Sequence, residues 1–498
     1  MVDTTVPRGT FGEKHFGAAY LGDVRRTRAL VDLANRFLRH PSGTLPHKCK
    51  CPNALRRCYD LMKTPAVTHA AVLAPHVART LRLVRQQTGV VLLIHDVTEL
   101  DYSGLTSLHS ELGQIGNGFG RGYECLNSLA VLPKGRTVLG LVSQLLHVRP
   151  RVSKTETQVQ RRERDTRESL LWLKAVDAVV AAEQRTRRAD GGDATAAGPQ
   201  VVDVADRASD TFEFLDHEDL LGRQYVLRSS HNRSVRLGHD GSGVAGLLHD
   251  HLRTLPEPGP RRRIDLSERE QRPARPATVA SAWVAVELLL PENRRGHYRQ
   301  QPLKVWAVRV WEPEPPAHVE AVEWFLLTNV PVATTAAAWE KVEWYCCRWV
   351  VEELHKAQKT GCSIEDPQLT KAARLQPLIA LLSVVATLLL SLRDLSRDET
   401  LRDLPATAVL EEELVEVMSG YRYGAVRPLT VREFFQALAR LGGHQNRKCD
   451  GSPGWLVLWR GWQDLQRLVA GARVGRALRP RGAAPPESAA PKTPPEGG

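Results

Sequence analysis

The sequence is poor in the features of secreted and membrane-spanning proteins. Its 498 residues contain eight cysteines, which form no dense framework, and nothing like a signal peptide precedes them. The most apolar run, LIALLSVVATLLLSL at 378–392, is shorter than the ~18–20 residues needed to cross a bilayer. Pro377 before this run and Arg393 after it are typical of a buried helix. We therefore expect a cytoplasmic protein without a membrane partner.

The cysteine pattern also gives little support for a zinc site. The stretch HKCKCPNALRRC contains four side chains of metal-ligating type, His47, Cys49, Cys51 and Cys58. Their spacing matches no standard zinc module. Most of the stretch lies in or beside a predicted helix, so helix packing explains these side chains more simply than zinc binding does.

Acidic residues are outnumbered by basic ones. Lys and Arg total 68 against 56 Asp and Glu, which gives a net charge of +12, and the pI is about 9.4. A soluble protein this basic usually binds a polyanion, and nucleic acid is the commonest one. A generally basic surface is the alternative. Hydrophobic residues make up 42% of the chain, which is long enough for about two to four domains with a sizeable core.

Helical periodicity predicts an N-terminal helical domain over residues 1–80. The segment LGDVRRTRALVDLANRFLRH places its leucines and valines on one side of a helix and Arg25 and Arg26 near its start. A small basic helical domain commonly grips a DNA duplex. A helix with solvated arginines is the alternative. We predict that Arg25 and Arg26 contact DNA phosphates.

The rest of the sequence has three regions with different residue patterns. Residues 81–365 contain short apolar runs that end in acids, first as a meander and then alternating with helices, which predicts an α/β domain with a mixed sheet. Within it, ASAWVAVELLL and LKVWAVRVW predict a β-rich insertion at about 235–320. Residues 366–472 have helical patterns, and the Pro-, Ala- and Gly-rich residues 473–498 are expected to be disordered.

One predicted helix carries a chemically unusual stripe. Residues 345–359 read YCCRWVVEELHKAQK, and at ~100° per residue Tyr345, Arg348, Glu352 and Lys359 fall within a sector of roughly 60°. Arg and Lys hold phosphate oxygens, and a phenol donates to another. The stripe predicts a phosphodiester-binding face with one carboxylate set in it. A simple i,i+4 ion pair between Arg348 and Glu352 is the alternative.

Three carboxylates are candidate metal ligands. Asp96 ends a buried apolar run, Asp206 closely follows another, and Glu352 lies on the stripe. Sheets bring the carboxyl ends of their strands to one edge, where ligands gather. Three such oxygen donors can hold Mg²⁺, and two ions ~4 Å apart stabilise both oxygens of an in-line phosphoryl displacement. We therefore predict a site for two Mg²⁺ ions, for which Mn²⁺ can substitute.

At this point the motifs resemble those of a known family. YCCRWVVEELHKAQKTG is similar to the Y-x2-R-x3-E-x6-K signature of the insertion-sequence-four family of DDE transposases, which are bacterial cut-and-paste enzymes. LGDVRRTRAL resembles the family's N-terminal DNA-recognition segment, and LLIHDVTELDYS and ADRASDTFEFL resemble the segments with its first two catalytic acids. The resemblance extends over roughly residues 10–470. It implies an RNase H-like catalytic core with a β-rich insertion before the helix that carries the catalytic Glu.

The resemblance assigns the catalytic roles to Asp96, Asp206 and Glu352. The first motif reads D-V-T where the family pattern is D-T-T, and Asp101 lies nearby as a second candidate. In the second motif Asp206 competes with two other acids, and the arginine directly after it favours Asp206. The competing acids are Asp203 and Asp210.

The resemblance also assigns residues that contact DNA. YVLRSSH is similar to the segment after the second acid, whose arginine is Arg228 here. The family stacks a flipped base on a tryptophan, which by position is Trp324, 21 residues before Tyr345. A buried strand aromatic is the alternative for Trp324. Trp349 is a candidate for a second contact.

The implied activity is DNA transposition. A homodimer pairs two transposon ends at their terminal inverted repeats, nicks the DNA with water, forms and opens a hairpin, and joins the 3′ ends to target DNA. The helical region 366–472 would support dimerisation, and the protein would be a bacterial, nucleoid-associated one. Two alternatives are another RNase H-like nuclease, such as a junction resolvase, and a catalytically dead DNA-binding relative. The presence of all three acids argues against the dead relative.

Overall fold

The computed structural model describes seven stretches of the chain and divides it into two compact units. The described residues are 10–116, 118–152, 155–191, 198–266, 274–291, 301–447 and 450–478. The first unit is Met1–Glu399 and the second is Thr400–Gly498. The division falls inside the predicted C-terminal helical region, which was expected to begin at residue 366.

The described N-terminal residues are helical, as the periodicity predicts. They form α1 (Phe11–Phe16), α2 (Val24–Arg39), α3 (Leu45–Cys49), α4 (Pro52–Met62) and α5 (His69–Arg85). Helix α2 begins where the Asp23 side chain accepts a hydrogen bond from the backbone N–H of Arg25, which satisfies one free donor of the first turn. Its apolar face is buried and includes Leu30, Leu33 and Phe37.

The core of the first unit is a mixed sheet, which confirms the predicted fold class. Its first strands and their helices are β1 (Val90–Asp101), β2 (Gly113–Ile115), β3 (Gly120–Leu132), β4 (Thr137–His147), α6 (Gln158–Glu163), α7 (Leu171–Ala189), β5 (Gln200–Ala205), α8 (Phe212–Leu220) and β6 (Gln224–Arg228). Strands β4, β3 and β1 pair antiparallel, whereas β5 and β6 continue the sheet parallel to β1. This arrangement is consistent with an RNase H-like core.

The predicted β-rich insertion is present and continues the same sheet. Its elements are β7 (Ser234–Leu237), β8 (Ala245–Leu247), α9 (Leu248–Thr254), β9 (Arg262–Leu266), β10 (Arg275–Leu288) and β11 (Leu303–Trp311), and β12 (Glu323–Thr328) follows. Among the described residues the sheet has twelve strands, ordered β2-β3-β1-β5-β6-β12-β11-β10-β7-β8 with β4 on β3 and β9 on β10. Apart from the two parallel pairs, the strands are antiparallel.

The predicted helix over residues 345–359 is not one regular α-helix. It comprises the end of α10 (Thr335–Cys346), then α11 (Trp349–Lys356), and then a π-helical turn, Ala357–Gly361. Between α10 and α11 the backbone tightens, since Arg348 N–H bonds to the Tyr345 carbonyl and Val351 N–H to the Arg348 carbonyl. The prediction of a single regular helix was wrong, although all three segments are right-handed helices.

The apolar run predicted to be a buried helix forms α12 (Ala372–Arg397). Of the described helices, α12 alone is long and apolar enough to cross a membrane, but 83% of its most apolar window is buried inside the protein. It packs on α5 and β4. These contacts are those of a core helix.

The second unit is helical in its described part. It contains α13 (Glu412–Tyr423), α14 (Val431–Leu441) and α15 (Trp455–Leu478). The tryptophans of α15, Trp455, Trp459 and Trp462, are all buried. Helix α15 continues past residue 473, where the disordered tail was expected to begin, and residues 479–498 lie outside the described part of the chain.

Candidate active site

Two of the predicted acids occupy adjacent positions on neighbouring parallel strands. The pairing of β1 with β5 ends where His95 lies opposite Ala205. Asp96 and Asp206 are the next residues after this last pair, one on each side. Paired strands lie about 4.8 Å apart. β1 does not end at Asp96, as the sequence predicted, but continues with β3 to Asp101. Asp96 therefore lies within a strand, at the point where the neighbouring strand turns away.

The third predicted acid is joined to Asp96 by an arginine of the stripe. Helix α11 packs on β1 and carries Glu352. Arg348 Nη1 donates to Asp96 Oδ2 at 2.9 Å, and Arg348 Nη2 donates to Glu352 Oε1 at 2.9 Å. The i,i+4 ion pair that was the alternative interpretation of the stripe is thus present. The same guanidinium also brings together two acids from distant parts of the chain.

The electrostatics of Asp96 connect all three acids. Burial is the main cause that raises the pKa of Asp96, to about 7. The negative charges of Asp206 and Glu352 act in the same direction, and the positive charge of Arg348 opposes them. Charges act on one another in this way only at short range. The structure therefore gathers the three predicted acids into one electrostatically coupled site.

Asp203, one competitor of Asp206, has a structural position. Its side chain is buried, with His95 Nε2 2.7 Å from Oδ1 and Arg223 Nε donating to Oδ2 at 2.7 Å. These contacts satisfy the carboxylate inside the protein and join β5 to β1. Asp206 is only partly buried, and its charge acts on Asp96. The structure therefore favours Asp206 over Asp203.

Asp210 and Asp101 are also engaged elsewhere. Asp210 is buried, pairs with Arg233, and accepts hydrogen bonds from the backbone N–H of Ser230 at 2.6 Å and of His231 at 3.1 Å. It fixes the loop after β6. Asp101 is exposed and accepts the backbone N–H of the turn residue Ser103 at 2.8 Å. Both acids act as local anchors of the backbone.

Tyr345 lies close to Arg228 and to Asp206. Tyr345 is buried at the end of α10. Burial raises the pKa of its phenol, the positive charges of Arg348 and Arg228 lower this pKa, and Asp206 raises it. The phenol therefore lies close enough to two guanidinium groups and one acid for their charges to act on it. A phenol and two arginines beside three carboxylates can hold a phosphate.

Trp324 lies on the same face of the sheet as Arg228. Arg228 is opposite Leu326 in the pairing of β6 with β12, and cross-strand partners share a face. Trp324 is two residues from Leu326 and therefore also on this face. Its side chain is partly exposed. The position is compatible with both interpretations of Trp324, a strand aromatic and a platform for a base.

Trp349 presents its ring to solvent next to the stripe. It is 39% exposed, and the Arg348 guanidinium lies 5.0 Å from its ring centroid. Because this large ring is exposed next to the Arg348 guanidinium, a flat ligand could stack on it.

Lys359 acts electrostatically on His355, a histidine that was not among the residues predicted from the sequence. Lys359 lies in the π turn, with Nζ 3.6 Å from Glu365 Oε1. Burial first, and then the positive charges of Lys359 and Arg348, lower the pKa of His355 to about 3. His355 is therefore neutral at pH 7, and both cations are close enough to act on it. Its helical spacing, three residues after Glu352, was the signal that could have revealed it.

The two predicted DNA-binding arginines, Arg25 and Arg26, form hydrogen bonds with different groups of the protein. Arg25 is 84% exposed and donates from Nη2 to Asp23 Oδ2 at 2.8 Å. Arg26 donates from Nη1 to the Leu21 carbonyl at 3.0 Å. A phosphate would compete with Asp23 for Arg25, whereas Arg26 also helps to fix the start of α2.

The comparison with known families matches the helices that carry these arginines. Residues 8–67 match the transposase DNA-binding family model. The match spans α1 to α4 and supports a transposase that binds DNA. It ends before the three acids, so it does not extend to the chemistry of cleavage.

The helices that match the transposase DNA-binding model form hydrogen bonds with the segment that follows the π turn. Lys48 is fully buried, and its Nζ donates to the Cys362 carbonyl at 2.7 Å and to the Pro41 carbonyl. The backbone N–H of Gly43 donates to Ser363 Oγ at 2.9 Å. The domain that matches the family model thus contacts the end of the element that carries Lys359.

The donor set of the three acids fits a hard divalent cation. Carboxylates are the protein ligands that Mg²⁺ prefers. Burial is the main cause of the raised pKa of Asp96, and the negative charges of Asp206 and Glu352, which add to it, are charges that a cation would neutralise. Within the described residues, however, no three His, Cys, Asp or Glu side chains are arranged to hold an ion as they stand. Arg348 occupies the space between Asp96 and Glu352 as their common partner. Ion binding would require these side chains to turn.

Proposed function

We propose that the chain is a DDE transposase of the insertion-sequence-four family. It would bind the terminal inverted repeats of its element, cleave the DNA there and join the freed ends to target DNA. The observation that carries the proposal is the close approach of Asp96, Asp206 and Glu352 at the point where β5 ends beside β1. The transposase DNA-binding domain in the same chain supplies the substrate class.

The proposed cofactor is Mg²⁺, as two ions, for which Mn²⁺ can substitute. Asp96, Asp206 and Glu352 would hold the ions, which when bound would stabilise the attacking and leaving oxygens of phosphoryl transfer. The proposal is supported by the buried position of Asp96 and by the two negative charges that act on it.

The basic and phenolic side chains would position the DNA. Arg348 bridges two acids in this structure; once these acids engage cations, its guanidinium fork is available for a phosphate. Tyr345 and Arg228 lie beside it and would bind the same strand. Lys359 would hold a neighbouring phosphate as a point charge.

The proposed reaction sequence is a nick by water, a hairpin, hairpin opening and strand transfer. Trp324 would stack the base that is flipped out when the hairpin forms, and Trp349 would offer a second aromatic face. The partial exposure of both rings supports these roles. The synaptic complex would be a homodimer that holds two transposon ends.

The substitution Glu352→Gln tests the proposed chemistry. Purified protein is incubated with Mg²⁺ and labelled duplex DNA that carries the inverted repeat flanking the gene. We expect the wild type to nick this DNA, and Glu352→Gln to bind it with similar affinity without nicking it, because the neutral amide is a poor ligand for Mg²⁺.

The matched control is Glu343→Gln on the preceding helix. Glu343 is 63% exposed and pairs with Arg262, so its substitution should leave cleavage unchanged. Equal loss of binding and cleavage in Glu352→Gln would indicate a structural role. A wild-type protein that binds the ends but never nicks them would identify a dead relative.

A further inference from the structure

A buried network of polar side chains lies behind the proposed DNA-binding stripe. Gln358 is fully buried in the π turn, and its Nε2 donates to Ser383 Oγ of α12 at 2.9 Å. The Gln358 side chain also exchanges hydrogen bonds with Asn127 of β3, at 3.3 and 3.4 Å. Gln144 of β4 donates to Asn127 Oδ1 at 2.7 Å and to Ser383 Oγ at 2.9 Å. All four side chains are buried, and each forms hydrogen bonds with two of the others.

The network connects the π turn with the strand position opposite Asp96. Asn127 is the cross-strand partner of Asp96 in the pairing of β1 with β3. Gln358 therefore joins the turn that carries Lys359 to the residue next to the first predicted acid. A buried, satisfied polar network holds its members in one arrangement, because any shift leaves a polar group without a partner.

The π turn itself determines where Lys359 points. In a regular α-helix Lys359, seven residues after Glu352, would lie about 20° from it around the axis. Here the backbone N–H of Cys362 bonds to the Ala357 carbonyl at 2.8 Å, five residues back, so the turn is wider than an α-helical one. A wider turn moves Lys359 around the axis relative to Glu352. Such π turns are rare and often occur at functional sites.

We propose that Gln358 is a positioning residue, which holds the π turn so that Lys359 meets a DNA phosphate next to the three acids. This inference rests on the proposed function, since it names a part of the same site. Gln358 is buried and does not itself contact DNA. Lys359, the next residue, is 36% exposed and only loosely paired, so its ammonium is available to a phosphate.

A double-mutant cycle tests the proposal. The variants are Gln358→Met, which keeps the side-chain length without the amide, Lys359→Ala, and the two combined. Nicking of end DNA is measured in single-turnover conditions, together with the salt dependence of binding. We expect Gln358→Met to slow nicking about tenfold to hundredfold, as a misplaced binding group does. It should also lower the salt slope by about one, the value for one phosphate contact.

The combined variant gives the decisive result. If Gln358 acts through Lys359, Gln358→Met should have no further effect on rate or slope in the Lys359→Ala protein. Additive effects would overturn the proposal, because they would show that Gln358 acts on the fold as a whole. If Gln358→Met does not fold, Ser383→Ala removes the partner of Gln358 and completes the same cycle.

The control for the loss of a hydrogen-bonded amide is Gln376→Met, at a partly buried position. Gln376 of α12 donates to the Tyr123 hydroxyl at 3.3 Å and lies outside the network, so nicking and salt slope should stay at wild-type values. Failure of the proposed function is a separate outcome. A wild type that binds end DNA without nicking it contradicts the transposase chemistry, while the salt slopes still test whether Lys359 depends on Gln358.

Discussion

A single guanidinium determines how the proposed active site is arranged. Arg348 contacts both Asp96 and Glu352, and only one of these contacts follows from helical spacing. The ion pair within the helix could be predicted from sequence, because i and i+4 residues are neighbours on any helix. The contact with Asp96 could not, because it depends on how α11 packs on the sheet. The spacing of His355 from Glu352 could be read from the sequence, but its neutral state could not, because the burial that lowers its pKa depends on the same packing.

The raised pKa of Asp96 predicts an unusual dependence of stability on pH. A carboxyl whose pKa rises from 3.8 to about 7 on folding favours the folded state when protonated. Its contribution is full below the unfolded pKa and is lost as the pH rises through about 7. Without divalent ions, Asp96→Asn should therefore melt at a higher temperature than the wild type at about pH 8, with the difference disappearing near pH 4. Thermal unfolding followed by circular dichroism measures this.

Asp101→Asn is the control for this pH effect. Asp101 lies on the same strand, but hydrogen bonds from Ser103 lower its pKa, so its contribution to stability has the opposite sign. Asp101→Asn should give no gain in melting temperature at high pH. Equal melting temperatures for Asp96→Asn and the wild type at both pH values would contradict the buried, negatively charged environment inferred for Asp96.

Among the helices and strands, regular patterns were predictable and irregular ones were not. The alternation of strands and helices predicted the mixed sheet, and the apolar run at 378–392 predicted the buried helix α12. The tight turn before α11 and the π turn after it have no sequence signature. They differ from an α-helix only in whether each backbone N–H bonds to the carbonyl three, four or five residues before it. The continuation of β1 past Asp96 depends on pairing with β3, a contact of long sequence separation.

Helix α2 carries the prediction for DNA recognition. Replacing Arg25 and Arg26 by Ala should weaken binding to end DNA and lower the slope of log affinity against log salt by up to about two, close to one for each phosphate contact. Fluorescence anisotropy at several salt concentrations measures the slope. Circular dichroism should accompany it, since Arg26 also donates to the Leu21 carbonyl.

The control for α2 is Arg467→Ala. Arg467 is 73% exposed on α15, outside the domain that matches the transposase DNA-binding model, and should leave the slope unchanged. An unchanged salt slope in the Arg25 and Arg26 variant would show that another surface of the protein recognises transposon ends.

The whole chain combines a segment that matches a transposase DNA-binding model with a sheet that brings three acids close together. The resemblance of short motifs located Asp96, Asp206 and Glu352 in the sequence, and the parallel pairing of β1 with β5 explains why the first two lie side by side. Sequence could not choose among the acids near Asp206 on physical grounds. The structure separates them by burial and by hydrogen bonds, which engage Asp203 and Asp210 inside the fold.

The most direct test of the shared site is a Mn²⁺ titration followed by electron paramagnetic resonance, with protein bound to end DNA. We expect tight Mn²⁺ binding by the wild type and by Asp101→Asn, and its loss in Asp96→Asn, Asp206→Asn and Glu352→Gln, because each of the three removes a carboxylate from one ligand set. Unchanged Mn²⁺ binding by Asp206→Asn or Glu352→Gln would contradict a metal site shared by all three acids.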